Sequence, residues 1–261
     1  MTLLEGLGLG VLQGLTEFLP VSSKGHLSLA QQILHLDVMP VPFDVMLHAG
    51  SLLAILLYFR AEIISAFTTR RRLIVPLIVG TIPTGVVYIL LRYVILKQHI
   101  DVMYTNLVAC GIGWLVTGTV LIAAERLARE HRSLDEVRVE DGLWIGVAQS
   151  IALMPSISRS GMTIAAGLAS GFERRAAVAF SFLLGLIAIS GATLIEAKEI
   201  LKQAQSVGWG IMGAGFIASV VTSLAALVLL TEVVRRKRLV FFAIYCYLLG
   251  AGVLLAKLFG A

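Results

Sequence analysis

Charge is what this 261-residue chain has least of: 14% of its residues are Asp, Glu, Lys or Arg, against about 25% in an ordinary soluble domain. Cysteine is scarce too. Its two copies, Cys110 and Cys246, lie inside apolar runs, where a thiol behaves as a small buried hydrophobe, which excludes a disulfide framework and a cysteine metal cluster. There are six prolines and no polar block of soluble-domain size, so residues 1–261 read as a single membrane domain with no extramembrane partner domain. No Lys or Arg precedes Lys24 while Glu5 stands near the start, the wrong flank for a cleavable secretory signal. The chain instead has apolar surface in excess. Hydrophobic residues make up 58% and the mean hydropathy is +0.91, the composition of an integral membrane protein. The net charge is +5, but the basic residues gather at segment ends instead of forming an aromatic-interleaved stripe, which is topology information and excludes a nucleic-acid partner.

Six segments approach the ~20 residues that about 30 Å of hydrocarbon demands: Phe43 to Phe59, Leu73 to Leu91, Thr105 to Ala124, Ala176 to Ala197, Gly208 to Thr231 and Leu239 to Leu258. Four basic stretches separate them, Arg60 to Arg72, Glu125 to Glu140, Gly171 to Arg175 and Glu232 to Arg238, with four, four, two and four Lys or Arg, 14 of the 21. With all four cytoplasmic, the chain crosses an even number of times between successive stretches, except across Asp141 to Ser170. That segment must leave and return on one side, so it is expected as a re-entrant hairpin. Leu3 to Leu19, interrupted by Gly6, Gly8, Gly10 and Gly14 and followed by Pro20, is expected as a second hairpin dipping in from the outer face.

The two hairpins resemble each other. A shift of 136 residues lays GVLQGLTEFLPVSSKG (Gly10 to Gly25) on GVAQSIALMPSISRSG (Gly146 to Gly161), matching Gly10, Val11, Gln13, Ser22 and Gly25 with Gly146, Val147, Gln149, Ser158 and Gly161. Opposite entry sides imply an inverted-topology repeat, residues 1–124 and 141–261 joined by a cytoplasmic linker at 125–140, with two broken helices lining a polar cavity near the midplane. The expected fold is all-α: six spanning helices and two re-entrant hairpins.

Each hairpin carries its polar residues just after a proline, where freed amides and a new helix N-terminus form an anion seat. The first break offers Ser22, Ser23, Lys24, Gly25 and His26, the second Ser156, Ser158, Arg159, Ser160, Gly161 and Thr163. Arginine supplies a planar fork for phosphate oxygens, and glycine allows close backbone approach. Glu17 follows Gln13 by four residues on one helical face, an oxygen pair suited to Mg²⁺ or Ca²⁺ with substrate phosphates and water completing the shell. Ser23 and His26, three apart, have the spacing of a nucleophile and a base. A single hydroxyl in a membrane helix more often bonds a neighbouring carbonyl. Arg159 lacks an acidic neighbour in sequence and needs another reason to be there. His48, Asp44 and Glu196 lie near outer segment ends, where snorkelling accounts for them equally well. His35, His99 and His131 read as solvated, and Pro83 as a kink beside the site.

QGLTEFLPVSSKGH (Gln13 to His26) followed by PSISRSGMT (Pro155 to Thr163) resembles the undecaprenyl-diphosphate phosphatase family, also known for bacitracin resistance. The family's motifs are an (E/Q)xxxE helix leading into PVSSxGH and, later, PGxSRSGxT. The resemblance implies a bacterial inner-membrane enzyme that hydrolyses undecaprenyl diphosphate to the monophosphate, recycling the lipid carrier of peptidoglycan synthesis, with its site open to the periplasmic or outer face. It implies Glu17 as metal-binding or acid/base residue, Ser23 as nucleophile, and His26 as base or as the nucleophile itself. Ser158, Arg159, Ser160 and Thr163 would hold the diphosphate. This chain departs from the pattern at Gln13, where many members carry a first glutamate, at Lys24, often Thr, and at Ser156, which replaces a glycine. Broken helices in inverted repeats are also typical of transporters, so movement of an anionic polyprenyl-phosphate lipid is the rival reading. The sequence leaves a homodimer open.

Overall fold

The computed structural model describes residues 1–35, 40–95, 100–203 and 208–259, with backbone alone at 100–102 and 196–203. Among the described residues its regular structure is helical, and the one β feature is an isolated bridge between Arg132 and Phe172. The helices are α1 (Leu3–Phe18), α2 (Ser23–Ile33), α3 (Val41–Tyr58), α4 (Arg60–Phe67), α5 (Ile74–Ile89), α6 (Ile100–Thr105), α7 (Leu107–Leu127), α8 (Val139–Ile151), α9 (Arg159–Ala169), α10 (Arg174–Gln203), α11 (Trp209–Arg235) and α12 (Val240–Leu258). Among the described residues six apolar helical stretches are long enough to cross a membrane: Val41–Tyr58, Arg71–Ile95, Leu107–Leu127, Arg174–Ile195, Trp209–Arg235 and Val240–Leu258. These are the six expected segments, so the chain is a multi-pass membrane protein. Ile78, Ile82, Val86, Ile217, Val221, Phe241 and Leu248 stay exposed on outward faces, where lipid tails solvate them.

Local chemistry sets several helix ends. Thr2 and Glu5 form a capping box at the start of α1, and the Asn106 side chain accepts the Val108 and Ala109 amides at the start of α7. Proline lacks an amide donor, and Pro20 and Pro155 stand in the turns that separate α1 from α2 and α8 from α9. Pro83 lies inside α5, which continues through it, and its neighbours Thr81, Thr84 and Gly85 face the cavity described below.

The glycines that interrupt the first apolar run are its packing surface. A Cβ on Gly6 would strike Ile211, on Gly10 the Gly215 backbone, and on Gly14 Thr222 and the Ser219 carbonyl, all on α11. Likewise Gly142 and Gly146 of α8 lie against the backbone of Pro76 and Gly80 on α5. Small residues bring helix backbones together where lipid offers no hydrophobic drive for association. Behind these contacts Phe18, Phe59 and Phe182 pack as an aromatic cluster, with ring centroids 5.4 Å (Phe18 to Phe182) and 5.3 Å (Phe59 to Phe182) apart.

All four basic stretches meet at one end of the bundle. Arg70 and Arg72 pair with Asp135 at 3.0 and 3.3 Å. Arg174 pairs with Glu125 and Glu130 at 2.7 and 3.0 Å, Lys237 with Glu130 at 3.0 Å, and Arg175 with Glu62 at 3.7 Å. Arg132 grips Asp141 at 2.6 Å. Cys110 and Cys246 are free and buried, as their apolar context implied.

Candidate active site

The turns of the two short helix pairs touch. A Cβ on Gly25 would run into Ser156 and Trp114, one on Gly161 would press on Pro20, and the Ser160 hydroxyl reaches the Leu19 carbonyl at 3.4 Å. Both turns include a serine in the left-handed region, Ser22 with φ +69° and Ser156 with φ +53°. Both following helices are capped the same way: the Ser22 side chain accepts the Gly25 amide at 3.5 Å and the Ser158 side chain the Gly161 amide at 3.1 Å. These are the positions that coincide under the 136-residue shift. Thr117 of α7 braces the second turn, accepting the Ser158 amide at 3.1 Å and donating to the Ser156 carbonyl at 3.2 Å.

A cavity of about 290 Å³ opens against these turns. Its polar wall is Glu17, Ser22, Ser23, Lys24, Ser158 and Arg159, with Asp44, His48, Thr84 and Gln149 nearby and an apolar side from Ile187 to Ile195 of α10. The remaining expected site residues, Gln13, Gly25, His26, Ser160, Gly161 and Thr163, are buried and do not line the cavity. Thr163 bonds Ser181 at 2.6 Å and the Arg159 carbonyl at 2.9 Å. Ser160 bonds Ser158 at 3.2 Å.

At the centre is Glu17, whose side chain is 8% exposed. The Ser23 hydroxyl donates to its Oε2 at 2.5 Å, and Arg159 Nη2 donates to its Oε1 at 2.8 Å. Glu17, 142 residues away in sequence, is therefore the counter-ion of Arg159. Arg159 Nη1 is buried and has no hydrogen-bond partner among the described residues, so donors remain unspent. Lys24 Nζ lies 4.6 Å over the Tyr104 ring. A buried carboxylate aligned with a hydroxyl on one oxygen and a guanidinium on the other can take the hydroxyl proton while positive charge stands ready for an anion.

His48 and Asp44 are not simply reaching for an interface. Gln13 Nε2 donates to Glu17 Oε2 at 3.1 Å and to His48 Nδ1 at 3.0 Å, and His48 Nε2 faces Asp44 at 3.7 Å. The sequence signal for this pair is their spacing of four on one face of α3. His35 and His131 are exposed. His99 and the Glu196 side chain lie outside the described residues.

The oxygen set fits a hard divalent cation in part. Among the described residues the buried Gln13 Oε1 lacks a hydrogen-bond partner, its side chain is hydrogen-bonded to the Glu17 carboxylate, and an orphan amide oxygen beside a carboxylate is the chemistry Mg²⁺ or Ca²⁺ takes. Among the described residues no group of three His, Cys, Asp or Glu is placed to hold a metal, so phosphate oxygens and water would supply the rest of the shell.

Comparison with known proteins places this arrangement in context. The sequence profile described as Bacitracin resistance protein BacA matches residues 6–252. The chain is 41% identical over 261 residues to a protein of Syntrophotalea carbinolica named undecaprenyl-diphosphatase, covering 96% of this chain and 97% of the relative. Two further proteins of that name, from Halothermothrix orenii and Carboxydothermus hydrogenoformans, are 36% and 35% identical, covering 96% and 100% of this chain and 96% and 99% of theirs.

Proposed function

Because the chain belongs to the Bacitracin resistance protein BacA family, we propose that it hydrolyses undecaprenyl diphosphate to undecaprenyl phosphate and inorganic phosphate. The observation that carries the mechanism is the Ser23–Glu17–Arg159 chain at the cavity wall. Ser23 Oγ attacks the terminal phosphorus as Glu17 takes its proton. The bond from phosphorus to the bridging oxygen breaks, and undecaprenyl phosphate leaves with the electron pair. Glu17 passes that proton to the departing undecaprenyl phosphate and, a carboxylate again, deprotonates the water that displaces phosphate from Ser23, whose oxygen takes the proton back. Arg159 and Lys24 neutralise the phosphoryl oxygens, so catalysis comes from positioning and charge, as is general for phosphoryl transfer. Ser22 and Ser158 hold the turns through their caps. A divalent cation bound by Glu17 and Gln13 would add charge neutralisation of the diphosphate. The prenyl tail stays in lipid, since withdrawing each methylene costs about 0.8 kcal/mol.

The helix pairs α1–α2 and α8–α9 act as re-entrant hairpins of an inverted repeat. Two features support this: the matching serine caps, and the glycine packing of each leading arm on a helix of the other half, α1 on α11 and α8 on α5. The basic end is cytoplasmic by the positive-inside rule. The cavity lines the halves of α3, α5 and α10 remote from that end, at Asp44 to His48, Thr81 to Tyr88 and Ile187 to Ile195, which supports an opening toward the outer face of a bacterial inner membrane.

Detergent-purified protein supplied with undecaprenyl diphosphate tests the reading, because a carrier has no membrane to cross in micelles and hydrolysis alone yields phosphate. Release by the unaltered protein, and its loss in Arg159→Ala, is expected. Intact substrate after prolonged incubation, or near-normal turnover by Arg159→Ala, would defeat the proposal.

A further inference from the structure

His26 is buried on α2 but absent from the cavity wall, and both its ring nitrogens are engaged. Nδ1 lies 2.7 Å from the Ser22 carbonyl, which can only accept, so Nδ1 carries the proton there. Nε2 lies 2.6 Å from the Tyr245 hydroxyl on α12. The imidazole stacks on the Tyr245 ring, centroids 5.6 Å apart and planes 8° from parallel, and meets Trp114 edge-on at 5.5 Å. Trp114 Nε1 donates to the Val21 carbonyl at 2.8 Å. Two consecutive carbonyls of the turn that delivers Ser23 are thus pinned, one by the indole and one by the imidazole. Ser22 occupies a left-handed conformation, which persists only where surrounding contacts over-determine it.

We propose, building on the phosphatase reading, that His26 and Tyr245 form a positioning pair. The Tyr245 hydroxyl holds the imidazole, the imidazole holds the Ser22 carbonyl, and the turn so fixed keeps Ser23 Oγ against Glu17. Neither side chain attacks phosphorus. The role explains why a tyrosine on α12 directs its hydroxyl inward to a histidine near the other end of the chain. It also reassigns His26, which its spacing from Ser23 suggests as base and the family resemblance as base or nucleophile, to a support for the turn.

The test uses the full-length protein in detergent. Tyr245→Phe removes one hydroxyl and leaves the stacked ring, so the fold should survive. A loosened turn lowers kcat by up to about 100-fold, with KM within about 3-fold, because the misplaced atom is the attacking oxygen. In ¹⁵N spectra of histidine-labelled protein, Nδ1 of His26 should remain protonated while the Nε2 resonance shifts on Tyr245→Phe. His26→Asn, whose amide can donate to the Ser22 carbonyl, should retain more activity than His26→Ala. A Tyr245→Phe protein with unaltered kcat, or an acid-labile phosphohistidine trapped at His26 on rapid quenching, would overturn the assignment. If the unaltered protein released no phosphate, the phosphatase reading would fall instead, and the histidine spectrum would still decide whether Tyr245 holds the ring.

Discussion

Gly185 of α10 offers a way to move Arg159 without mutating it. An added Cβ at this position would overlap Arg159 Nη1 and crowd the guanidinium carbon, which lies 2.8 Å from the ideal Cβ position. Ordinary contact between such atoms needs roughly 3.5 Å, so the guanidinium must withdraw by the better part of an ångström or more. A displacement of about 1 Å at a group that positions charge costs on the order of 100-fold in rate, or about 2.7 kcal/mol. The backbone effect runs the other way. Alanine is favoured over glycine within a helix by about 1 kcal/mol, so Gly185→Ala should fold, and lost activity can be separated from lost structure. The assay is phosphate release from undecaprenyl diphosphate in detergent, alongside thermal unfolding of the same preparation. Gly213→Ala on α11, where an added Cβ meets no described residue within 4 Å, is the control and should match the unaltered protein. Full turnover by Gly185→Ala would refute the assignment of Arg159 as a group whose position limits the rate.

Three further outcomes are expected. Ser156→Gly should raise thermal stability in detergent by about 1 kcal/mol, because Ser156 sits at φ +53°, where a side chain is strained and glycine is not; a lower melting temperature would show that the Ser156 side chain contributes more than its backbone costs. Partial burial pushes the Glu130 carboxyl up, but the hydrogen bond and charge of Lys237 and of Arg174 outweigh it and hold the group below its ordinary range. Its stabilisation is therefore complete above the unfolded carboxylate value and lost as pH falls through the lower folded one, and Glu130→Gln should flatten melting temperature against acidic pH. Gln13→Glu supplies a second carboxylate beside Glu17 and should tighten Mg²⁺ or Ca²⁺ binding measured by calorimetry, with a matching fall in the cation concentration for half-maximal phosphate release; unchanged binding heats would place any cation elsewhere.

The spans were legible in the sequence because hydrocarbon thickness dictates length and apolar content, and no tertiary contact can override that requirement. The two proline-led polar breaks were legible for a related reason: a buried backbone interruption needs hydroxyls and a helix start to satisfy its amides, and those residue types stand out against leucine and valine. Partner choice was not legible. Nothing local says that Arg159 meets Glu17, that His48 joins Gln13 above it, or that the His26 ring turns to Tyr245 instead of the cavity. The four-residue spacing of Gly6, Gly10 and Gly14 does mark a helix contact face, but nothing in it says that the partner is α11. The chain by itself determined that this is a six-span membrane protein with two matched polar turns, because burial in lipid acts on each segment separately. Only the tertiary structure decided which side chain of each turn faces the cavity and which one is turned into the protein. That choice depends on convergence of helices distant in sequence, and it is settled by a few hydrogen bonds whose geometry no local pattern encodes.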